Sequence, residues 1–168
     1  MHRGFKKAFD SAWPDMKQAI MLCQTGNQSL WFTGHSLGAA LATMAVATLL
    51  EQGKRVNGLY TFGSPRVGNP TFSKTFNAGC ASTTFRFVNN NEIVTRLPLA
   101  IRYRHVGTVR YIDENGTLQL NFPWWRTLID MCKGAINDLG ELGIDGIKDH
   151  DMDCYLACLK KNLGLLPI

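Results

Sequence analysis

The pentapeptide Gly34-His35-Ser36-Leu37-Gly38 stands between a short aromatic stretch, Ser29–Thr33, and a small, apolar stretch that begins at Ala39. No other feature restricts the chain as much. A strand that turns sharply into a helix brings two backbones close together. Gly34 and Gly38 carry no side chain to collide where they cross. Ala39 and Ala40 extend the same small contact surface. A serine at the centre of such a turn is lifted above the edge of the sheet on a strained backbone.

The rest of the sequence continues the alternation. Phe5 to Cys23 reads as a helix in which Pro14 kinks the axis or starts the second half, and Gly26 is expected to end it in a left-handed conformation. Ala39 to Glu51 reads as a helix that is apolar nearly all round, with Gly53 just past its end. Val56–Phe62 and Thr84–Val88 read as strands. Asn69-Pro70 opens a helix running to about Gly79. Tyr103–Ile112 and Leu118–Asn121, joined around Asp113-Glu114-Asn115-Gly116, read as a hairpin. Trp124 to about Leu139 is expected to be helical. Met152, Tyr155, Leu156, Leu159 and Leu163 recur at helical spacing, so a last helix is expected to bury that stripe. Strands alternating with helices predict an α/β fold, a mostly parallel sheet flanked by helices. A chain of 168 residues, 45% hydrophobic and 18% charged, fits one domain over residues 1–168.

Several classes drop out on the same grounds. The run Leu37–Leu50, interrupted by Thr43 and Thr48, is too short to span a bilayer. The basic N-terminus has no apolar h-region behind it, so it does not read as a signal peptide. A net charge of +5 describes a basic surface with a weak attraction to anionic lipid or substrate. No basic and aromatic residues interleave as in a nucleic-acid module, so no nucleic-acid partner is expected. Five scattered cysteines do not form a disulfide framework and point to free thiols, hence weakly to the cytoplasm, or to secretion if the true start lies upstream. His150, Cys154 and Cys158 share one helical face, but no fourth ligand accompanies them, and no metal is expected. Phe122-Pro123-Trp124-Trp125 reads as core before it reads as an acyl- or membrane-facing patch, and Arg66 as a structural ion pair.

A serine hydroxyl is a weak nucleophile at neutral pH. It needs a histidine to take its proton and an acid to orient that histidine. Of the four histidines, His2 lies near the N-terminus, and His35 adjoins Ser36 and is expected to point away from it. His150, in the polar loop Asp149-His150-Asp151, fits the chain order serine, acid, histidine. His105 is the fallback base, with a structural role favoured. Glu92 follows the strand Thr84–Val88 and falls at its carboxyl end, the edge that carries Ser36. Asp145 and Asp149 are its rivals. The Leu37 amide, at a helix N-terminus, is placed to donate to an oxyanion.

The blocks Gly34–Ala42, Thr61–Asn69 and Phe87–Pro98, in that order, resemble the lipase class 3 family. His2-Arg3-Gly4-Phe5, His105-Val106-Gly107 and Asp149–Tyr155 are similar to further blocks of it. The resemblance implies an α/β-hydrolase fold and hydrolysis of acylglycerols and related lipid or short-chain esters without a cofactor. Carried over by position, it makes Ser36 the nucleophile, Glu92 the acid and His150 the base. The family usually has aspartate where this chain has Glu92, so the loop must retreat to accommodate one more methylene. The family also has a stretch before the His2–Phe5 block that supplies early strands, a lid and the other half of the oxyanion hole. With that stretch absent, the Ser29–Thr33 strand becomes a sheet edge. Exposed apolar surface and self-association, or a partner chain, are then expected, together with contact with a lipid interface. Two competing readings remain: a truncated, non-catalytic module that works through a partner, and acyl transfer or peptide hydrolysis by the same triad.

Overall fold

A computed structural model describes residues 2–90, 92–98, 101–120 and 149–165. Helix α1 spans Arg3–Cys23, strand β1 Trp31–His35, helix α2 Leu37–Glu51, strand β2 Gly58–Phe62 and helix α3 Pro70–Cys80. Strand β3 follows at Thr84–Asn89, then β4 at Thr108–Ile112, β5 at Leu118–Gln119 and helix α4 at Met152–Asn162. The strands form one sheet in the order β1-β2-β3-β4-β5. The first four run parallel, and β5 turns back antiparallel to β4. The fold is the α/β-hydrolase type predicted, with the hairpin at its end.

Pleating sorts the side chains onto two faces. From β2, Leu59 packs with Ala42, Val46 and Leu49 of α2 and Phe76 of α3. Tyr60 and Phe62 point the other way, with Phe85 and Phe87 of β3, into a cluster closed by Ile112 and by Tyr155 of α4. Helix α1 covers α2 through Phe9, which packs against Ala40, Met44 and Ala45. The uniformly apolar character of α2 follows from this position, with the sheet on one side and α1 on the other.

The boundaries differ from those expected in ways that have local causes. Helix α1 runs through Pro14 and stops at Cys23, where Gln24 N–H donates to the Ile20 carbonyl. The chain therefore ends the helix without Gly26, which is not among the left-handed residues, whereas Gly53 after α2 has φ 70°. Strand β1 begins two residues later than predicted because Leu30 N–H is taken by the Asn57 side chain. Asn69 caps α3 by accepting from Phe72 N–H at 2.9 Å. The stripe on α4 is buried only in part: Tyr155 is fully enclosed, Leu159 is half-buried, and Met152, Leu156 and Leu163 are exposed. The helix expected over Trp124–Leu139, the Phe122–Trp125 patch, Asn121 and Cys132 lie outside the described residues. Strand β1 is an edge of the described sheet, and Trp31 on it is 57% exposed.

Candidate active site

The carboxyl ends of β1, β2 and β3 meet at one edge of the sheet, and each delivers part of the site. Strand β1 ends at His35, and α2 begins at Leu37, so Ser36 is the whole connection. Its backbone sits at φ 55° and ψ −124°, in a region that non-glycine residues rarely adopt. Ser36 N–H donates to the Phe62 carbonyl at 3.0 Å, which ties the turn to the end of β2. The close crossing explains Gly34: a Cβ there would run into the Gly38 carbonyl and lie 2.7 Å from the Ala39 nitrogen. Strain of this kind persists only where surrounding structure imposes it, and it tends to mark functional positions.

The acid comes from the end of β3. Asn90 turns the chain at φ 41°, and Glu92 N–H returns to the Asn89 carbonyl at 3.0 Å. The Glu92 side chain is thereby drawn inward and is completely buried. Thr95 Oγ1 donates to the Glu92 carbonyl, and His105 Nε2 donates to the Thr95 carbonyl at 2.8 Å. The Arg66 guanidinium donates to the carbonyls of Arg96 and Pro98. Among the described residues it finds carbonyl oxygens, where an ion pair was expected, and so pins the loop behind Glu92.

The histidine arrives from the turn before α4. His150 Nε2 lies 2.8 Å from Ser36 Oγ, and His150 Nδ1 is hydrogen-bonded to Glu92 Oε1. A serine, a histidine and a carboxylate thus form one chain of hydrogen bonds. Gly63, at φ 58°, leaves the room: a Cβ there would enter the Glu92 carboxylate and stand 2.8 Å from the His150 ring. Asn89 Nδ2 donates to the Asp149 carbonyl, and Asn90 Nδ2 to the Asp149 carboxylate, so Asp149 supports the turn and does not touch the imidazole. Asp145 lies outside the described residues. Among the described residues Ser36 Oγ is hydrogen-bonded to His150 and not to His105; burial and the nearby Arg86 and Arg66 charges hold the His105 pKa well below the usual histidine range, as suits a neutral structural ring. It lies ahead of β4 instead of within a strand, and its buried Nδ1 has no hydrogen-bond partner among the described residues.

Two residues that sequence reasoning passed over complete the site. Tyr155 stands on the first turns of α4, fully buried, and its hydroxyl donates to Glu92 Oε2. The Tyr155 hydroxyl oxygen accepts in turn from Gly63 N–H at 3.1 Å and Asn89 N–H at 3.0 Å. One phenol therefore joins the ends of β2 and β3 to the acid. A buried tyrosine hydroxyl needs a polar partner, and a tyrosine on a stripe predicted to be buried was the available signal. Burial pushes the Glu92 carboxyl above its ordinary range, opposed by the bonds from Tyr155 and His150. His35 is the other. It was expected to point away from the site, yet its ring centroid lies 4.4 Å from that of His150. Strand alternation fails there because Ser36 has already left the extended conformation.

The chain has relatives of known class. The family model for the class 3 lipases matches residues 1–101. The chain belongs to the class 3 lipase family. A secreted mono- and diacylglycerol lipase of Fusarium solani is 34% identical over 151 residues, covering 86% of this chain and 44% of the relative. A crystallised lipase of Rhizopus microsporus var. chinensis superposes with a TM-score of 0.60 at 32% identity, over 67% of this chain and 42% of that one. A triacylglycerol lipase whose catalytic centre is described as a serine-protease triad superposes at 0.58 with 30% identity, over 68% and 45%. This class 3 lipase chain spans less than half the length of each of these relatives. No described helix is long and apolar enough to cross a membrane.

Proposed function

We propose that this chain carries a serine carboxylic ester hydrolase centre acting on acylglycerols or related lipid or short-chain esters. The observation that carries the proposal is His150, bridging Ser36 Oγ on one nitrogen and Glu92 on the other. Ser36 Oγ attacks the ester carbonyl as His150 Nε2 takes its proton, and Glu92 stabilises the imidazolium. The carbonyl oxygen becomes an oxyanion that accepts from Leu37 N–H, one of the first-turn amides of α2 that have no acceptor within the helix. His150 returns the proton to the departing alcohol. Water, deprotonated by the same nitrogen, then attacks the acyl-serine, releases the carboxylic acid and restores the hydroxyl. No step requires a cofactor. The names of the relatives support acylglycerol as the substrate class and extracellular action; the cytoplasmic placement expected from the thiols draws no support from them.

Incubation with an alkyl phosphonate and a nitrophenyl ester tests this reading. A mass increase of one phosphonyl group, mapped to Ser36, with ester turnover is the expected result. A folded chain that shows neither ends the proposal.

The β1 edge supports a second, narrower proposal: residues 1–168 act as one domain that associates with another copy of itself. Trp31 and Thr33 are exposed on β1, an edge of the sheet among the described residues, and an edge strand offers its backbone groups to another chain. Light scattering is expected to show a mass above that of the monomer, and Thr33→Lys to reduce it. A monomer at all working concentrations would refute this.

A further inference from the structure

His150 lies in a turn, outside any helix or strand, so no regular ladder of hydrogen bonds fixes its backbone. Side chains do so instead. Asn89 and Asn90 hold the residue before it, through the carbonyl and carboxylate of Asp149. Among the described residues, one hydrogen bond reaches the main chain of His150 itself: His35 Nε2 to the His150 carbonyl oxygen, at 2.7 Å. A carbonyl only accepts, so that nitrogen of His35 carries a proton and donates it. The two rings also pack, with centroids 4.4 Å apart and planes inclined by 33°.

We propose that His35 is a positioning residue for the base, and that it sets the distance between His150 Nε2 and Ser36 Oγ. The inference rests on the triad reading above and deepens it. Its force comes from covalent adjacency. His35 and Ser36 share a peptide bond, and Ser36 N–H is fixed to Phe62. The anchor of the base and the nucleophile therefore move as one unit. If the end of β1 shifts, serine and histidine shift together, and their separation is preserved. The carbonyl and the imidazole of His150 leave the same Cα, so holding the first restricts where the second can point. Ring packing restricts rotation of the imidazole about its own side-chain bonds. Two proton transfers must pass between the same pair of atoms in each turnover, and a displacement of about 1 Å costs on the order of 100-fold in rate.

The experiment compares the wild type with His35→Ala, His35→Phe and His35→Gln. The phenylalanine keeps a packing ring without the donor, and the glutamine keeps an N–H donor without the ring. Each is followed by nitrophenyl ester kinetics, by phosphonate labelling, and by the low-field proton resonance of His150 Nδ1–H. The expected result is a fall in kcat of about 10–100-fold for alanine and phenylalanine with KM nearly unchanged, and recovery of most of the loss by glutamine. The resonance broadens or disappears in the first two and returns in the third. If alanine prevents folding, the contrast between phenylalanine and glutamine decides. Wild-type kcat and an unchanged resonance in His35→Phe overturn the proposal, as does a glutamine variant no better than phenylalanine. A wild type that resists the phosphonate ends the triad reading alone. The resonance still decides whether His35 orders the His150 side chain, and an undisturbed signal in His35→Phe refutes that.

Discussion

His150→Gln is expected to slow ester hydrolysis by about 10⁶-fold while the chain still folds. The argument is chemical. The hydroxyl of Ser36 holds its proton at neutral pH, and the acceptor 2.8 Å away is an imidazole nitrogen able to take that proton and hand it on. A glutamine amide can hydrogen-bond to Ser36 and to Glu92, so the buried carboxyl keeps a donor, but it has no basic lone pair. Ser36→Ala should fall as far, because each loss stops the same step. The double variant should then be no slower than either single one, since groups that act as a unit are strongly non-additive. Glu92→Gln should lose about 10⁴-fold, because His150 remains present but loses the partner that selects its tautomer and stabilises its charge. The measurement is single-turnover acylation by a nitrophenyl ester, with circular dichroism to establish folding. A His150→Gln chain within tenfold of wild type would mean that another group serves as base. A double variant slower than both singles by the product of their effects would mean that Ser36 and His150 work independently.

The sequence was most legible where backbone geometry leaves few residues free to serve. Gly34 must lack a side chain because a Cβ would strike the Gly38 carbonyl, and Asn69-Pro70 caps and opens α3 by local chemistry alone. His150 was preferred to His105 because His105 falls in a segment read as a strand, and Glu92 to Asp149 because Asp149 adjoins His150 and neighbours in sequence seldom meet side chain to side chain. What escaped was anything set by the approach of elements remote in sequence. Tyr155 was read as one apolar member of a helical stripe. Its hydroxyl acquires its role only because α4 lies against the ends of β2 and β3. The rest of that stripe was misjudged for the same reason: Leu156 and Leu163 share the spacing of Tyr155 but face away from the sheet. His35 was misplaced by applying strand alternation across a residue at positive φ. The longer arm of Glu92 raised a question that composition could not answer. In this chain Glu92 N–H returns tightly onto Asn89, and Arg66 clamps the carbonyls behind it.

Tyr155→Phe is expected to lower stability by about 2–4 kcal/mol at neutral pH, because Gly63 N–H and Asn89 N–H lose a buried acceptor. For a chain of this size that is a fall in Tm of roughly 5–15 °C. The loss should itself depend on pH, and its sign follows from Glu92. Burial already holds the Glu92 carboxyl above its ordinary range, and the Tyr155 hydroxyl opposes that shift by donating to the ionised form. Removing the donor raises the folded-state value further. A carboxyl whose value is raised on folding is favourable to the fold while it is protonated. That favourable contribution is present below the unfolded range, near pH 4.3, and is lost as pH rises through the folded value. The gap in Tm between wild type and Tyr155→Phe should therefore be smallest at acid pH and widen toward neutrality. The same displacement should appear in catalysis: the triad needs Glu92 ionised, so the acidic limb of log kcat/KM against pH should move to higher pH in the variant. Thermal melts at several pH values and a pH–rate profile measure the two effects separately. A uniform loss of stability with an unmoved acidic limb would reduce Tyr155 to an acceptor for two amides. A limb that moves with the Tm gap would mean that the phenol helps hold the acid of the triad in its charged form.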